Sequence, residues 1–534
     1  MIFPLLVLSA VLILCILLSK VSNKLGMPML LAFMVLGMVF GSDGLFKIPF
    51  ENNIIMENIA TIALLFIIFY GGFGTNWKTA RPVLGKSVML STLGVILTAA
   101  FVGLFCYYIL NMPLLISFLL GAVISSTDAA SVFFILRSKK LNLKYGTAPM
   151  LELESGSNDP AAYMLTIILC TLLTGDFSTG SFIYMIFAQI VYGLAAGFIL
   201  AYIAVKIFKY YIFSSTGMKM IFMVAVALLS YALPAHFGGN GYLSAYIVGI
   251  ILGNTHIQDK KPLVYFFDGI TDLMQMLLFF LLGLLSFPSV FSQYALYALF
   301  IALFLTFIAR PAAVFLLLSP LKAKFNQQLL ISFAGLRGAA SIVFAIMAQN
   351  QLTSHNQSND AIFNIVFLIV LFSILFQGSL LPFVSRKLNM IDNSEDVMKT
   401  FTDYSESIPV EFLQFKITKD NKWNNVQIKN IILPPDTLIA MIKRGDEKIV
   451  PNGNTVLLEN DEVILCGKSG ADMEGVKIKE EKVTPSSSLI GKKILDIKTE
   501  ENMVILVIQR GDNILIPKGN TVIEKDDLLI IHHT

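Results

Sequence analysis

Residues 154–159, Glu-Ser-Gly-Ser-Asn-Asp, set two carboxylates, hydroxyls and an amide inside a stretch that otherwise reads as a membrane-spanning helix. An ionisable side chain at bilayer depth costs about 3 kcal/mol or more, and it persists mainly where it binds an ion, relays a proton or meets a partner charge. Upstream, Ser126-Thr127-Asp128 interrupts a second apolar run. Two acids from separate spans point to one ion site. On a helix, Glu154 and Asn158 are i, i+4 neighbours, as are Ser155 and Asp159, so these four groups occupy adjoining stripes of one face. Gly156 and Ser157 fall off that face. Carboxylate, hydroxyl and amide oxygens are the ligands that alkali cations accept, and a carboxylate among them can trade a proton for a cation. The plainer alternative is a network that only joins helices, worth about 1 kcal/mol per bond. Asp128, Glu154, Asn158, Asp159 and Arg337 together argue for a site. Glu152 reads as a solvated or capping acid, and Tyr70-Gly-Gly-Phe-Gly74 as tight helix packing.

The elements that must hold these groups are membrane spans. Of 534 residues, 56% are hydrophobic and 14% charged, and the mean hydropathy is +0.74. That is the composition of a polytopic membrane protein. Up to Met390 the chain is cationic, and the remainder is an acidic, soluble tail. At about 20 residues per crossing, apolar runs fall near 1–19, 27–45, 54–73, 85–110, 114–136, 150–174, 181–205, 217–237, 241–254, 270–287, 292–318, 327–349 and 361–384. That makes thirteen spans, with the short ninth the weakest. Residues 1–18 have no basic leader and no small-residue cleavage site, and read as an uncleaved first span. Basic loops follow the odd-numbered spans (Lys20/Lys24, Lys78/Arg81/Lys86, Arg137/Lys139/Lys140/Lys144, Lys206/Lys209, Lys260/Lys261, Lys322/Lys324, Arg386/Lys387), whereas only Lys47 follows an even one. The bias of Lys and Arg toward the cytoplasm therefore puts the N-terminus outside and the tail inside. Cys15, Cys106, Cys170 and Cys466 show no paired spacing and read as core thiols.

Two basic residues remain at membrane depth. Arg310, near a span end and beside Pro311, divides evenly between snorkelling to a headgroup and a buried role. Arg337, within Gly335-Leu-Arg-Gly338, belongs to an interrupted helix of the kind that lines transporter sites, where it would partner Glu154.

At these residues the sequence resembles the first subfamily of monovalent cation:proton antiporters, and within it the bacterial potassium/proton antiporters with a regulatory tail. The matching stretches are Ser126-Thr-Asp-Ala-Ala-Ser131, Glu152 to Pro160, Gly239-Asn-Gly-Tyr-Leu243, Gly249 to Asn254, Ala309-Arg-Pro311, Gly335 to Ala340 and Gln377-Gly378. The resemblance implies that Asp159 is the alternately protonated and potassium- or sodium-bound carboxylate. Asp128, Ser155 and the Thr127 backbone would complete the cation shell, and Glu154, Asn158 and Arg337 would form a supporting cluster. Asn158 before Asp159 is the pattern of electroneutral exchange. The implied fold is all-α, an inverted-repeat antiporter domain over 1–390 with interrupted spans 5 and 12 crossing near the site, in a homodimer in the cell membrane. Two positions depart from the family: Tyr70, where an acid often precedes the glycine pair, and Ser341, where Pro is common.

A linker (391–404) leads to a β-rich, α+β tail that repeats itself. Shifting it by 66 residues aligns Lys443-Arg-Gly-Asp446 with Gln509-Arg-Gly-Asp512, Gly453-Asn-Thr-Val456 with Gly519-Asn-Thr-Val522, and Asp461 with Asp527, without a gap. The copies, 405–475 and 476–534 with a polar hinge at Lys477–Ser488, resemble the C-terminal module of the regulator-of-potassium-conductance family. Its usual nucleotide-binding companion is absent, so a regulator such as a cyclic dinucleotide would bind the β modules. No other cofactor and no nucleic acid is expected. The leading function is an electroneutral potassium/proton antiporter under tail control, with sodium as the close variant. A ligand-gated potassium channel would need a carbonyl filter such as T-V-G-Y-G, which the sequence lacks. An intramembrane enzyme would need a catalytic motif, which is also missing.

Overall fold

The helices follow the apolar runs. The computed structural model of the chain describes residues 6, 9–18, 29–48, 52–128, 131–132, 135–136, 141–175, 179–211, 213–257, 260–355, 361–392 and most of 410–533, with breaks at 420, 435–436, 446, 469–476, 484–486, 488, 497–502, 511–512 and 516. Lys20, Lys24, Arg137, Lys139, Lys140, most of the linker 391–404, part of the hinge at 484–488, and Asp446 and Asp512 lie outside these residues. Seven described helices are long and apolar enough to cross a membrane unaided: Asn53–Gly74, Trp77–Tyr108, Gly180–Tyr210, Thr216–His236, Lys260–Leu285, Pro288–Leu318 and Ala361–Lys387. Ser9–Leu18, Met29–Phe40, Leu114–Val123 and Gly241–Gly253 are shorter apolar helices. The polar Thr147–Thr174 and the two-part Phe325–Phe333 and Ala339–Ser354 complete the set of thirteen spans, numbered here in chain order.

Local chemistry sets several starts. Asn52 accepts from the Ile55 N–H at 2.9 Å, Ser215 from Met218 at 3.3 Å and Asn240 from Leu243 at 3.0 Å, each side chain satisfying a helix donor that has no partner of its own. Asn240 also donates to the Pro160 carbonyl at 2.8 Å, tying the start of short span 9 to the site helix, span 6.

The glycines of spans 3 and 9 explain how these helices pack. A Cβ built on Gly72 would come within 2.5 Å of the Tyr246 carbonyl, one on Gly249 within 2.2 Å of the Phe69 carbonyl, and one on Gly253 within 2.1 Å of the Phe73 carbonyl. The two backbones touch directly, so within Tyr70 to Gly74 it is Gly72 that serves packing, whereas a Cβ on Gly71 or Gly74 would meet nothing. We expect Gly249→Ala to force spans 3 and 9 apart, at a cost at the upper end of the 1–3 kcal/mol that overpacking brings. Thermal unfolding in detergent should show a clearly lowered midpoint; an unchanged one would contradict the contact.

The chain forms two units, Met1–Ser405 and Glu406–Thr534. In the second, each repeat builds a four-stranded antiparallel sheet. Strands β1 (Val410–Lys416), β2 (Thr437–Arg444), β3 (Glu447–Ile449) and β4 (Glu462–Lys468) are ordered β1-β4-β2-β3. Strands β5 (Lys477–Lys482), β6 (Met503–Arg510), β7 (Asn513–Leu515) and β8 (Leu528–His533) are ordered β5-β8-β6-β7. The copies match in detail. Each holds a single 3-10 turn among its described residues, Ile428–Asn430 and Ile494–Asp496. Each has a β-bulge in its second strand, between Ile439 and Met441 and between Ile505 and Val507.

Each copy also carries the same ion pair. Arg444 meets both oxygens of Asp461 at 2.8 Å and donates to the Val456 carbonyl, and Asp461 accepts from the Leu458 N–H. Arg510 holds Asp527 at 2.9 and 2.8 Å, reaches the Val522 carbonyl, and Asp527 accepts from the Glu524 N–H. The Asp carboxylates are fully buried, and the guanidinium hydrogen bonds, with the backbone N–H, hold both below the ordinary carboxylate value. A lowered folded pKa means that this stabilisation is complete above the unfolded value near pH 4 and is lost as pH falls through the folded value. Amide exchange of β4 and β8 in the full protein should therefore accelerate on acidification below pH 4, and Asp461→Asn should remove that dependence from β4 alone. Equal acid sensitivity of β4 in the mutant would refute this role.

Candidate functional site

Two broken helices meet at the site. Span 5 runs as helix over Leu114–Val123 and then opens, so residues 126–128 carry no helical bonds. Span 12 ends its first half at Phe333 and resumes at Ala339. The breaks cross where the Asp128 N–H donates to the Leu336 carbonyl at 2.8 Å. Gly338 is required there, because a Cβ on it would stand 2.5 Å from the Asp128 Cβ. Asp128 accepts from the Ser131 N–H at 3.3 Å and from the Ser131 hydroxyl, the arrangement of a helix N-cap.

A hydrogen-bond chain holds the second break open. Arg337, 1% exposed, donates through Nη1 to the Ser126 carbonyl at 2.8 Å, and its backbone N–H donates to the Ser373 Oγ at 3.0 Å. Ser373 donates to the Gln377 Oε1 at 2.8 Å, and Gln377 Nε2 donates to the Phe333 carbonyl at 2.7 Å. Both residues lie in a widened turn of span 13, Ser373–Gly378. Gln377 thus serves the carbonyl left orphaned where span 12 stops.

Span 6 contributes the hexad. Ser155 Oγ donates to the Thr127 carbonyl at 2.6 Å, Asn158 Nδ2 donates to the Thr127 Oγ1 at 2.6 Å, and the Ser126 hydroxyl donates to the Asp159 Oδ1. The structure therefore brings Asp128, Thr127, Ser155, Asn158 and Asp159 together around one stretch of open backbone. Asp159 and Asp128 are half-buried, whereas Glu154 and Asn158 are each 1% exposed. Gly156 faces elsewhere: a Cβ on it would sit 2.5 Å from the Tyr246 ring. Ser157 turns back to its own helix at Leu153.

One expected pairing is corrected. Glu154 bonds Arg310, not Arg337. Arg310 is 3% exposed and does not snorkel. Pro311 cannot donate to the Phe307 carbonyl, and span 11 widens into a π turn over Leu305–Ala309 just before Arg310. A Cβ built on Gly335 would stand 3.0 Å from the Arg310 Nε. Sequence reasoning also missed Ser126 as the donor to Asp159. Its signal was its place in the polar triplet already singled out, where Thr127 and Asp128 drew the attention. Ser373 gave no signal, since one serine in an apolar span is unremarkable.

The model of the sodium/hydrogen exchanger transmembrane family matches residues 9–387, and that of the TrkA-C domain matches 412–472 and 478–532. The chain belongs to the sodium/hydrogen exchanger family. This exchanger is 33% identical over 466 residues to the K(+)/H(+) antiporter NhaP of Alkalimonas amylolytica, covering 86% of this chain and 80% of that one. It is 32% identical over 462 residues to the K(+)/H(+) antiporter NhaP2 of Shewanella sp. (strain MR-4), covering 84% and 78%. The solved sodium proton antiporter MjNhaP1 of Methanocaldococcus jannaschii at pH 8 superposes with a TM-score of 0.64 at 25% identity, over 72% of this chain and 99% of that one. The protein is a multi-pass cation/proton antiporter with two TrkA-C modules, and a transporter, not an enzyme.

Proposed function

We propose that this antiporter exchanges one potassium ion for one proton at Asp159, with the cation shell formed by Asp128, Ser155 and the Thr127 carbonyl. The observation that carries the reading is the charge of the buried cluster. Asp128, Glu154 and Asp159 oppose Arg310 and Arg337, leaving a net charge of −1 when all five are ionised. One proton or one monovalent cation brings the cluster to neutrality, so either cargo crosses without a residual buried charge, which is costly to move. The two cargoes compete because both need the same Asp159 oxygens. The Ser126 hydroxyl satisfies Asp159 in either state, and the glycine-flanked breaks supply backbone carbonyls in place of water.

The potassium preference is supported by the names of the relatives at 32–33% identity and by the TrkA-C modules. The solved sodium proton antiporter supports sodium as the second reading. We place the N-terminus outside and the tail in the cytoplasm, as the basic loops direct, in a homodimer whose tail takes a small-molecule regulator. In everted vesicles, dequenching of a pH dye should respond to potassium at lower concentration than to sodium. A response to sodium alone would reject the potassium assignment.

A further inference from the structure

Above the ion site, toward the side that the basic loops place outside, a cavity of about 630 Å³ opens between the start of span 3 and the end of span 12. It is lined by Asn52, Asn53, Ile54, Asn350, Thr353 and Ser354. Asn350, part of that lining, donates through Nδ2 to the Glu57 Oε2 at 2.6 Å and to the Asn53 carbonyl at 3.1 Å. Three levels can be read up the helices at about 1.5 Å per residue. Gly338, against Asp128, and Asp159 mark the site. Phe344, about 9 Å higher on span 12, and Tyr163, one turn above Asp159, mark the next level, where their rings are 5.9 Å apart. Tyr242 meets Tyr163 edge to face at 5.1 Å, is fully buried, and contacts Tyr231 at 4.9 Å. Asn350 and Glu57 stand about 9 Å above Phe344, at the cavity. Half-buried Glu57 is therefore bonded to a residue of the cavity's lining, with a layer of rings between it and Asp159.

We propose that this cavity is the outer mouth of the transport route, and that Glu57 is the carboxylate that first draws a hydrated monovalent cation there. The proposal rests on the antiport and orientation argued above. Its geometry is that of an acid in a low-dielectric cleft, which raises the local concentration of a cation without holding it dry. Asn350, which lines the cavity, holds the Glu57 side chain beside it.

The test uses the full chain carrying Cys466→Ser, in right-side-out vesicles. Modification of Ser354→Cys by a bulky membrane-impermeant thiol reagent added outside should block potassium/proton exchange. The same reagent on Leu45→Cys, 84% exposed in the outer loop, should leave it unchanged. Glu57→Gln should weaken the apparent potassium affinity measured from the outer face about fivefold, or 1 kcal/mol at 1.4 kcal/mol per tenfold, with no change from the inner face; Glu57→Asp should restore it. Complete modification at position 354 with undiminished exchange would overturn the proposal, as would modification from the inner face alone. Exchange by the parent protein in the same vesicles tests the antiport reading separately.

Discussion

Asp159→Asn is expected to reduce exchange to the level of empty vesicles. Asparagine accepts the Ser126 hydroxyl hydrogen bond as aspartate does, but it takes no proton and carries no charge. The cluster would then be neutral with neither cargo present, and no cation could displace a proton. Because Asp159 is only half-buried and its hydrogen bond has a substitute, stability should change by about 1 kcal/mol or less. A monodisperse, thermally stable mutant that still exchanged at the parent rate would remove Asp159 from the mechanism.

Arg310→Ala is expected to be nearly as damaging by a different route. It leaves Glu154, 1% exposed, buried without its partner. Breaking a buried pair in this way costs about 3–5 kcal/mol, a large share of the 5–15 kcal/mol that holds a typical protein folded. Little monodisperse protein should be recovered by size-exclusion chromatography. The double replacement Glu154→Gln with Arg310→Met removes both charges at similar volume and should recover most of the lost stability. It also keeps the cluster at −1, from Asp128, Asp159 and Arg337, so the double mutant should exchange while the single mutant does not survive to be assayed. If the double mutant were less stable than Arg310→Ala alone, the pairing would be wrong. Arg337→Ala removes the bond to the Ser126 carbonyl but leaves the Glu154–Arg310 pair intact, and should fold better than Arg310→Ala.

The comparison of the two arginines marks how far the sequence could be read. The span count and the break at Arg337 were legible, because the glycines flanking that residue are a local signal, whereas the break in span 5 came only from the resemblance to the family. The stripes of the hexad were legible for the same reason, since helical spacing is local. What was hidden depends on spans far apart in sequence. Glu154 is 156 positions from Arg310, and nothing in either neighbourhood says which arginine arrives. Arg310 sits in an apolar run near its end, where snorkelling and burial leave the same pattern of residues. Its true position follows from a widened turn forced by Pro311, a three-dimensional effect of a residue that was visible all along. Of the glycine pair of span 3, Gly72 packs as expected whereas a Cβ on Gly71 would meet nothing, and the partners of Gly72 on span 9 could not be named. Tyr70, which departs from the family pattern, donates to Asp268 on span 10, another distant meeting.

The bulges in β2 and β6 bear on how the tail has been inherited. Ile439 and Ile442 are both buried, as are Ile505 and Ile508, although residues three apart on a regular strand point to opposite faces. The extra residue resets the alternation in mid-strand. Losing or gaining one residue there would turn half of the strand inside out, placing isoleucines in solvent and lysine or glutamine against the core. Since the duplication that made the tail, insertions and deletions within each copy have therefore been filtered by the parity of a single strand. That constraint gives a physical reason why two copies that have diverged in most side chains still align at a constant offset of 66 residues without a gap.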